Sequence, residues 1–428
     1  MRILPETMPV RGRFFRLGPL GAREFRLLFL GRTISFAGSA VAVVALAFAV
    51  LEITGSKTDL GLVLAARAIP QLVFLLAGGI WADRLPRHLV MVASNLVSGL
   101  TQAVVAVLLL LDAAEIWHLA ALAVLNGTAT AFFFPASQGV IPQTVPARLL
   151  QEANALLRLA LNVAWIGGAA LGGLLVAGLG PGTAIAVDAA SFVVAAALLA
   201  AMKLPPRLRV ETASFLADLR VGWQEFRSRR WLWAIVLQFA LVNGVVSGAF
   251  TVLGPVVAAE ELGGARDWGL ILAAQSLGMV VGGVTVLRYR PRRLLLTATL
   301  GIVVTPLVLV ALGFPLAFPL VLVAAVLTGV GIETFGVLWD TTMQQEITGD
   351  KLSRVYSYDA LGSFALIPVG LAIAGPIAEA IGVRATLFGA ATLILLVTLA
   401  VFSIDEVRTL ERRVTPSPSP ASGGPGTA

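Results

Sequence analysis

Within long apolar runs this chain carries Arg32, Arg67, Arg158, Asp188, Glu333, Asp340 and Asp359. Ionisable side chains in such runs are costly, turn toward a bundle interior or a water-filled cavity, and mark function. A carboxylate there can take up and release a proton, and an arginine can pair with it or meet a polar ligand. By sequence Glu333 is the deepest of them, because it follows the apolar stretch Leu320 to Ile332. A carboxyl so placed is neutralised by a proton or by a neighbouring cation, and proton coupling and structural pairing are both open readings. Asp340 is two helical turns further on, on the same face, so the two carboxylates share one path. Asp188 and Asp359 are further candidates for proton coupling. Judged by distance from the ends of their runs, Arg32, Arg158, Asp340 and Asp359 lie near one membrane face and Arg67 and Asp188 near the other, where long side chains can snorkel.

Polar side chains recur at helical spacing beside these charges: Arg32, Ser35 and Ser39; Arg158, Asn162 and Trp165; Asn126, Thr130 and Ser137; Asn243, Ser247 and Thr251. Such stripes line cavities or hold helices together, and holding is the commoner use. Arg32, Ser35, Asn126, Arg158, Asn162 and Asn243 are the candidates for a cavity wall. Other chemistries lose their residues. There is no cysteine, and the two histidines, His88 and His118, have no carboxylate pattern beside them, so neither a thiolate nor a His-based metal site is expected. No lysine follows a glycine, which removes a phosphate-binding P-loop. No cofactor is expected, and any transport must be secondary.

The elements that hold these residues follow from composition. Of 428 residues 58% are apolar and 13% charged, with a mean hydropathy of +0.91, where soluble domains carry about 25% charge. Apolar runs closed by Arg, Asp, Gly or Pro can be read at 25–52, 59–82, 88–111, 117–141, 152–178, 183–203, 231–258, 267–288, 293–313, 316–339, 354–379 and 385–404. Each is long enough to span a bilayer, so the expected fold is an all-α polytopic membrane protein of twelve helices without a separate catalytic domain. Of 31 Lys and Arg residues, 24 fall on the side of the termini, and Lys57, Arg266 and Arg384 on the other. That bias puts both termini in the cytoplasm of a cell that holds the chain in its inner or plasma membrane. It also explains the net charge of +7 as topology plus attraction to anionic lipid, with no nucleic-acid partner. Residues 1–24 are broken by five arginines and show no cleavable signal peptide.

The chain also repeats itself. Pro142-Gln143-Thr144-Val145-Pro146-Ala147-Arg148-Leu149, a polar turn ahead of a helix, returns 203 residues later as Gln345-Glu346-Ile347-Thr348-Gly349-Asp350-Lys351-Leu352. Gly78-Gly79 with Arg84 and Arg87 returns as Gly282-Gly283 with Arg288, Arg290 and Arg292. Two six-helix halves, 1–203 and 231–404, are implied. Between them, 204–230 sets Phe215, Leu219, Trp223 and Phe226 against Asp218, Arg220, Glu225 and Arg227, the pattern of an amphipathic helix on the inner membrane surface; a frayed polar linker is the alternative. Residues 405–428, which end in Pro, Ser, Gly, Ala and Thr, are expected to form a disordered cytoplasmic tail.

Two parallel-repeated halves are the plan of the major facilitator superfamily, and the second loop makes the likeness specific. Gly79-Ile80-Trp81-Ala82-Asp83-Arg84-Leu85-Pro86-Arg87-His88 resembles the superfamily signature Gly-x-x-x-Asp-Arg-x-Gly-Arg-Arg/Lys, with Pro86 and His88 as departures. The resemblance implies that Gly79, Asp83, Arg84 and Arg87 form a conformational latch. Phe25 to Ser35, the 142–149 loop and Asp188-Ala189-Ala190-Ser191-Phe192 are similar to the branch containing the enterobactin exporter and macrolide efflux proteins. No arginine stands between Leu125 and Phe134, where many proton-coupled drug antiporters carry one, so their coupling scheme does not transfer. What the resemblance implies is a monomeric exporter of an amphipathic small molecule, a drug, macrolide or siderophore, driven by protons. An uptake permease is the alternative; a membrane enzyme or a receptor is disfavoured, since no catalytic set or large outer loop can be assembled.

Overall fold

The computed structural model describes residues 18–84, 86–204, 223–289, 291–314, 316–347 and 349–411, with the backbone alone at 75–84, 147, 287 and 349–354. Ten helices among these residues are long and apolar enough to cross a membrane. We number the spanning rods α1 (Arg23–Thr54), α2 (Lys57–Arg84), α3 (Arg87–Leu110), α4 (Ile116–Thr144), α5 (150–179), α6 (181–200), α7 (Arg230–Glu261), α8 (Ala265–Arg288), α9 (Leu294–Gly313), α10 (Phe318–Glu346), α11 (Val355–Ile381) and α12 (Val383–Val401).

Helices α5 and α6 are continuous in hydrogen bonding over Leu150–Ala200, a 51-residue run that would be about 75 Å long if straight. Gly180 breaks it, with φ 81° and ψ 165°, a conformation open to glycine and strained for other residues. The contacts prove the reversal: Gly168 of α5 sits against Ala37 of α1, and Gly38 of α1 sits against Ser191 of α6, so both arms pass α1 at one height. The repeat supplies the same turn a second time. Gly382, with φ 88° and ψ 152°, joins α11 to α12. Helices α4 and α10 likewise both run for 29 residues. In α4 Gly127 meets the backbone oxygen of Arg67, and in α10 Gly329 meets that of Gln275, so the halves share one packing plan.

The core shows how the halves meet. At the end away from the termini one apolar cluster runs through both halves, from Val41, Leu60 and Ile185 to Leu253, Trp268 and Leu371. At the terminal end each half has its own: Phe25, Leu28, Met91 and Leu157 in the first, Trp231, Leu295, Trp339 and Met343 in the second. The molecule is therefore sealed at one end and parted at the other. Among the described residues, the glycines that touch the opposite half all lie in the sealed part. Gly61 and Gly375 bring α2 against α11, and Gly173 and Gly269 bring α5 against α8; these pairs are equivalent in the repeat. Polar contacts cap the seal, with Thr58 Oγ1 donating to Glu379 Oε1 at 2.8 Å and Lys57 Nζ 3.7 Å from Glu260 Oε1.

At the terminal end the tail departs from its expectation. Most of the 204–230 linker lies outside the described residues; its end, 223–228, is helical and packs Trp223 and Phe226, with tilted rings, against Tyr358 of α11. The tail is not disordered from 405 onward. Asp405–Thr409 is a short helix with Val407 fully buried in the second-half cluster, and Glu411 forms a backbone bridge with Arg293. Ile404 and Val407 provide apolar surface that composition averaged over the tail conceals. Residues 412–428 lie outside the described residues.

Candidate functional site

Two polar regions differ in kind. The first is inside the first half. Asp188 of α6 is 0% exposed, although its sequence position suggested a place near a membrane face. It lies beside Gly38, halfway along α1, where a Cβ would meet Ser191 Oγ and Asp188 Oδ1. Gln102 Nε2 of α3 donates to Asp188 Oδ2 at 2.7 Å, Ser191 Oγ lies 3.5 Å from Asp188 Oδ1, and the guanidinium of Arg67 on α2 acts on the carboxylate electrostatically. Thus α1 makes the space, α2 and α3 supply partial compensation, and the residue has no exposed surface. Next to Gln102, Thr101 Oγ1 faces Asn126 Nδ2 of α4 at 3.5 Å. Arg32 and Ser35 of α1 are also buried in this half, with Ser35 Oγ donating to the carbonyl of Arg32 at 3.3 Å. Arg32, Ser35 and Asn126 therefore belong to the bundle interior and not to the cavity wall expected for them.

The second region faces the gap between the halves. Arg158 and Asn162 on α5 are exposed, on the stretch where α5 has left its contact with α8. Across the gap Glu333 of α10 is half-buried and interacts electrostatically with Arg158 and with Asp340. Its side chain lies along Gly282 and Gly283 of α8, which leave room for it. Glu333 is thus a cavity group, and Asp188 is the deeper carboxylate. The apolar run before Glu333 reports the lipid face of α10, and a single helix does not reveal that its other side meets water. Asp340 accepts from Tyr356 Oη at 3.0 Å. Asp359 accepts from Trp339 Nε1 and from Ser363 Oγ, both at 3.0 Å, which ties α10 to α11. Asn243 is glue as well, its Nδ2 donating to the Ser363 carbonyl at 3.0 Å.

Of the latch set, Gly79, Asp83 and Arg84 lie where the structure describes the backbone alone. Arg87 is half-buried at the start of α3, its guanidinium laid over Gly139 of α4. No group of three or more His, Asp or Glu among the described residues is arranged to hold a metal ion.

The sequence profile of the Major Facilitator Superfamily matches residues 28–358. The chain belongs to that superfamily. It is accordingly a multi-pass membrane transporter of small molecules and not an enzyme. Among relatives of this major facilitator protein, the multidrug efflux pump Tap of Mycolicibacterium fortuitum is 29% identical over 413 residues, covering 92% of this chain and 97% of the pump. Macrolide efflux protein A of Streptococcus pyogenes is 23% identical over 395 residues, 91% of this chain and 97% of that one. Among solved structures, a variant of the nucleoside transporter NupG superposes with a TM-score of 0.72 at 11% identity, over 89% of this chain and 99% of that one. A bacterial homologue of the iron transporter ferroportin, in an inward-facing state, does so with 0.68 at 18% identity, over 89% and 99%.

Sequence reasoning missed the partners. Gln102 was a visible signal, an amide inside the apolar third run, and Ser191 stands one turn from Asp188. Lys57, Thr58, Glu260 and Glu379 read as ordinary loop-edge residues, because only the fold brings the first pair to the second.

Proposed function

We propose that this transporter sits in the cell membrane with both termini in the cytoplasm and exports an amphipathic small molecule in exchange for protons. The observation that carries export is the likeness, over more than nine-tenths of both chains, to proteins named as multidrug and macrolide efflux pumps. The excess of Lys and Arg on the terminal side supports the orientation. In that orientation the gap opens to the cytoplasm and is sealed outside, the state that loads cargo for export.

In this reading Asp188 carries the proton. It is buried between α1, α3 and its own helix, with Gln102, Ser191 and Arg67 as partial compensation, a setting in which a carboxylate is neutralised by a proton or a neighbouring cation. Substrate enters the gap, where Arg158, Asn162, Glu333 and Asp340 offer polar contacts amid apolar walls. Glu333 and Arg158 face each other from opposite halves, so they draw together as the inner side closes. Asp83, Arg84 and Arg87 act as the latch of the inner side. Exchange then needs only that proton and substrate prefer different states of one two-state machine.

The test uses inside-out membrane vesicles with an acid lumen, a macrolide and a fluorescent lipophilic cation. Export predicts accumulation of at least one of them in the lumen, abolished by a protonophore. Uptake by right-side-out vesicles driven by an acid exterior would show a permease instead.

A further inference from the structure

The face of α5 that meets the second half can be followed from the seal into the gap. In the seal Gly173 packs on Ala265 and Arg266 of α8, and Gly269 of α8 packs on Ala169 and Gly173. One turn nearer the terminal end the same face of α5 carries Trp165, followed by Asn162 and Arg158, at the spacing of one helical stripe. Carried on in the same register, α8 sets only Ala273 opposite Trp165 and Ser276 opposite Asn162. Trp165 therefore stands at the closed end of the gap. Its side chain is half-buried, and its ring tilts against that of Phe36 on α1, with centroids 5.4 Å apart and planes at 44°. Phe36 keeps 37% of its surface exposed. Two residues further on, Gly38 faces Asp188; two residues turn a helix by about 200°, so Phe36 is on the side of α1 away from the acid. The polar groups come later along the stripe. Arg158 is about 10 Å from Trp165 along α5 at 1.5 Å per residue, and Glu333 acts on it from the other half. The gap is graded, with rings at its closed end and charges toward its mouth.

We propose that Phe36 and Trp165 are specificity-determining residues, a ring pair that seats the apolar end of the cargo, so that an amphipathic molecule enters the gap apolar end first. Its polar head then stays about 10 Å behind, among Arg158, Asn162 and Glu333. The rings have apolar surface to cover, and a pocket of apolar wall with a few placed polar groups fixes the orientation of what it holds. The spacing acts as a ruler. A cargo whose apolar part spans the distance satisfies both ends, whereas a short one satisfies either the rings or the charges. Reversed entry is disfavoured, because a polar head carried to the rings would give up its water there without a partner. Cargo and proton lie on opposite sides of α1, the one against Phe36 and the other at Asp188 behind Gly38. This inference rests on the reading of the gap as the cargo site.

The test measures binding of tritiated octyl and butyl amphiphiles, each with a trimethylammonium and with a sulfonate head, to the full-length transporter in proteoliposomes. The head that binds wild type more tightly serves for the variants. Wild type should prefer the octyl probe to the butyl one. Trp165→Ala and Phe36→Ala should each weaken the octyl probe about tenfold, the scale of one lost ring contact, and leave the butyl probe within about twofold of wild type. Retained butyl binding shows that the variants fold, and Trp165→Phe, which keeps a ring, should recover most of the octyl affinity. Undiminished octyl binding in both alanine variants overturns the seat. So does an equal loss for the two tail lengths in both, which is what rings that only close against the second half would give. Failure of both octyl probes to bind wild type overturns it as well. If the tail-length effect is absent while Arg158→Ala, Asn162→Ala or Glu333→Gln weakens binding, the seat is wrong and the gap stands as the cargo site. If none of these substitutions changes octyl binding, the cargo lies elsewhere and the earlier reading fails with the seat.

Discussion

The halves share a backbone plan and divide the charge between them. In the first half Asp188 sits at the α1–α6 contact; the equivalent position of the second, counted from the matched turns at Gly180 and Gly382, is Ala390. Arg67 and Gln275 both lend their backbone oxygen to a glycine, but only one of them carries charge. Conversely Glu333, Asp340 and Asp359 correspond to Ala131, Gln138 and Leu157. The contact between Thr101 and Asn126 has its echo in Thr328 Oγ1, which donates to the carbonyl of Thr305 at 3.2 Å. That one helix-joining contact persists in both copies, whereas the charged groups differ. A duplicated scaffold can thus bury a carboxylate inside one half and turn a carboxylate toward the gap in the other.

The largest effect should come from removing the charge that makes the first half distinct. Asp188→Asn is expected to reduce pH-driven transport in proteoliposomes by about 100-fold or more while leaving counterflow measurable. Arg67 then loses its compensation, and the melting temperature should fall by an amount that the double change with Arg67→Gln partly recovers. A double variant no more stable than the single one would break the assignment of Arg67 to Asp188.

Glu333→Gln should act on the other side of the division. We expect substrate affinity to weaken by about tenfold, the scale of one lost charged contact, with the number of protons moved per substrate unchanged. A change in that number would place coupling in both halves.

A third prediction concerns what the halves share. Gly375→Val and Gly173→Val strike the two equivalent seams of the outer seal, so both should widen the distance between spin labels on Ile53→Cys and Ile381→Cys, measured by pulsed electron resonance, and to a similar degree. Unequal widening would show that one seam governs the seal. The smallest effect belongs to Lys57→Ala. Its ion pair with Glu260 is partly exposed and contributes less than about 1 kcal/mol, so a thermal melt should move barely at all.

Much of the architecture was legible in the chain because it is written in one dimension. Apolar runs point to an all-helical, membrane-spanning chain, and the signature around Asp83 points to the superfamily, without reference to any contact. Depth was harder. Asp188 was judged from its distance to the end of a run, yet α6 passes the middle of α1 at that point because the turn at Gly180 is so short. Glu333 was judged from the residues before it, and these report one face of α10. The burial of Arg32, Ser35 and Asn126 inside one half also depends on how the helices are rotated about their own axes, and composition does not encode that angle. Ile404 and Val407 show the reverse error, in which two apolar residues were lost in the average of a polar tail.

The one-residue turn at Gly180 has a mechanical meaning. It joins the rod bearing Arg158 to the rod bearing Asp188 with no slack, so the two behave as the arms of a crank. Arg158 on one arm and Asp188 on the other, packed against Gly38, are joined through that single residue. In the proposed exchange, load in the gap reaches Asp188 through this link of two helices. Lengthening the turn by a few flexible residues would let the arms slip past one another, and the machine would idle.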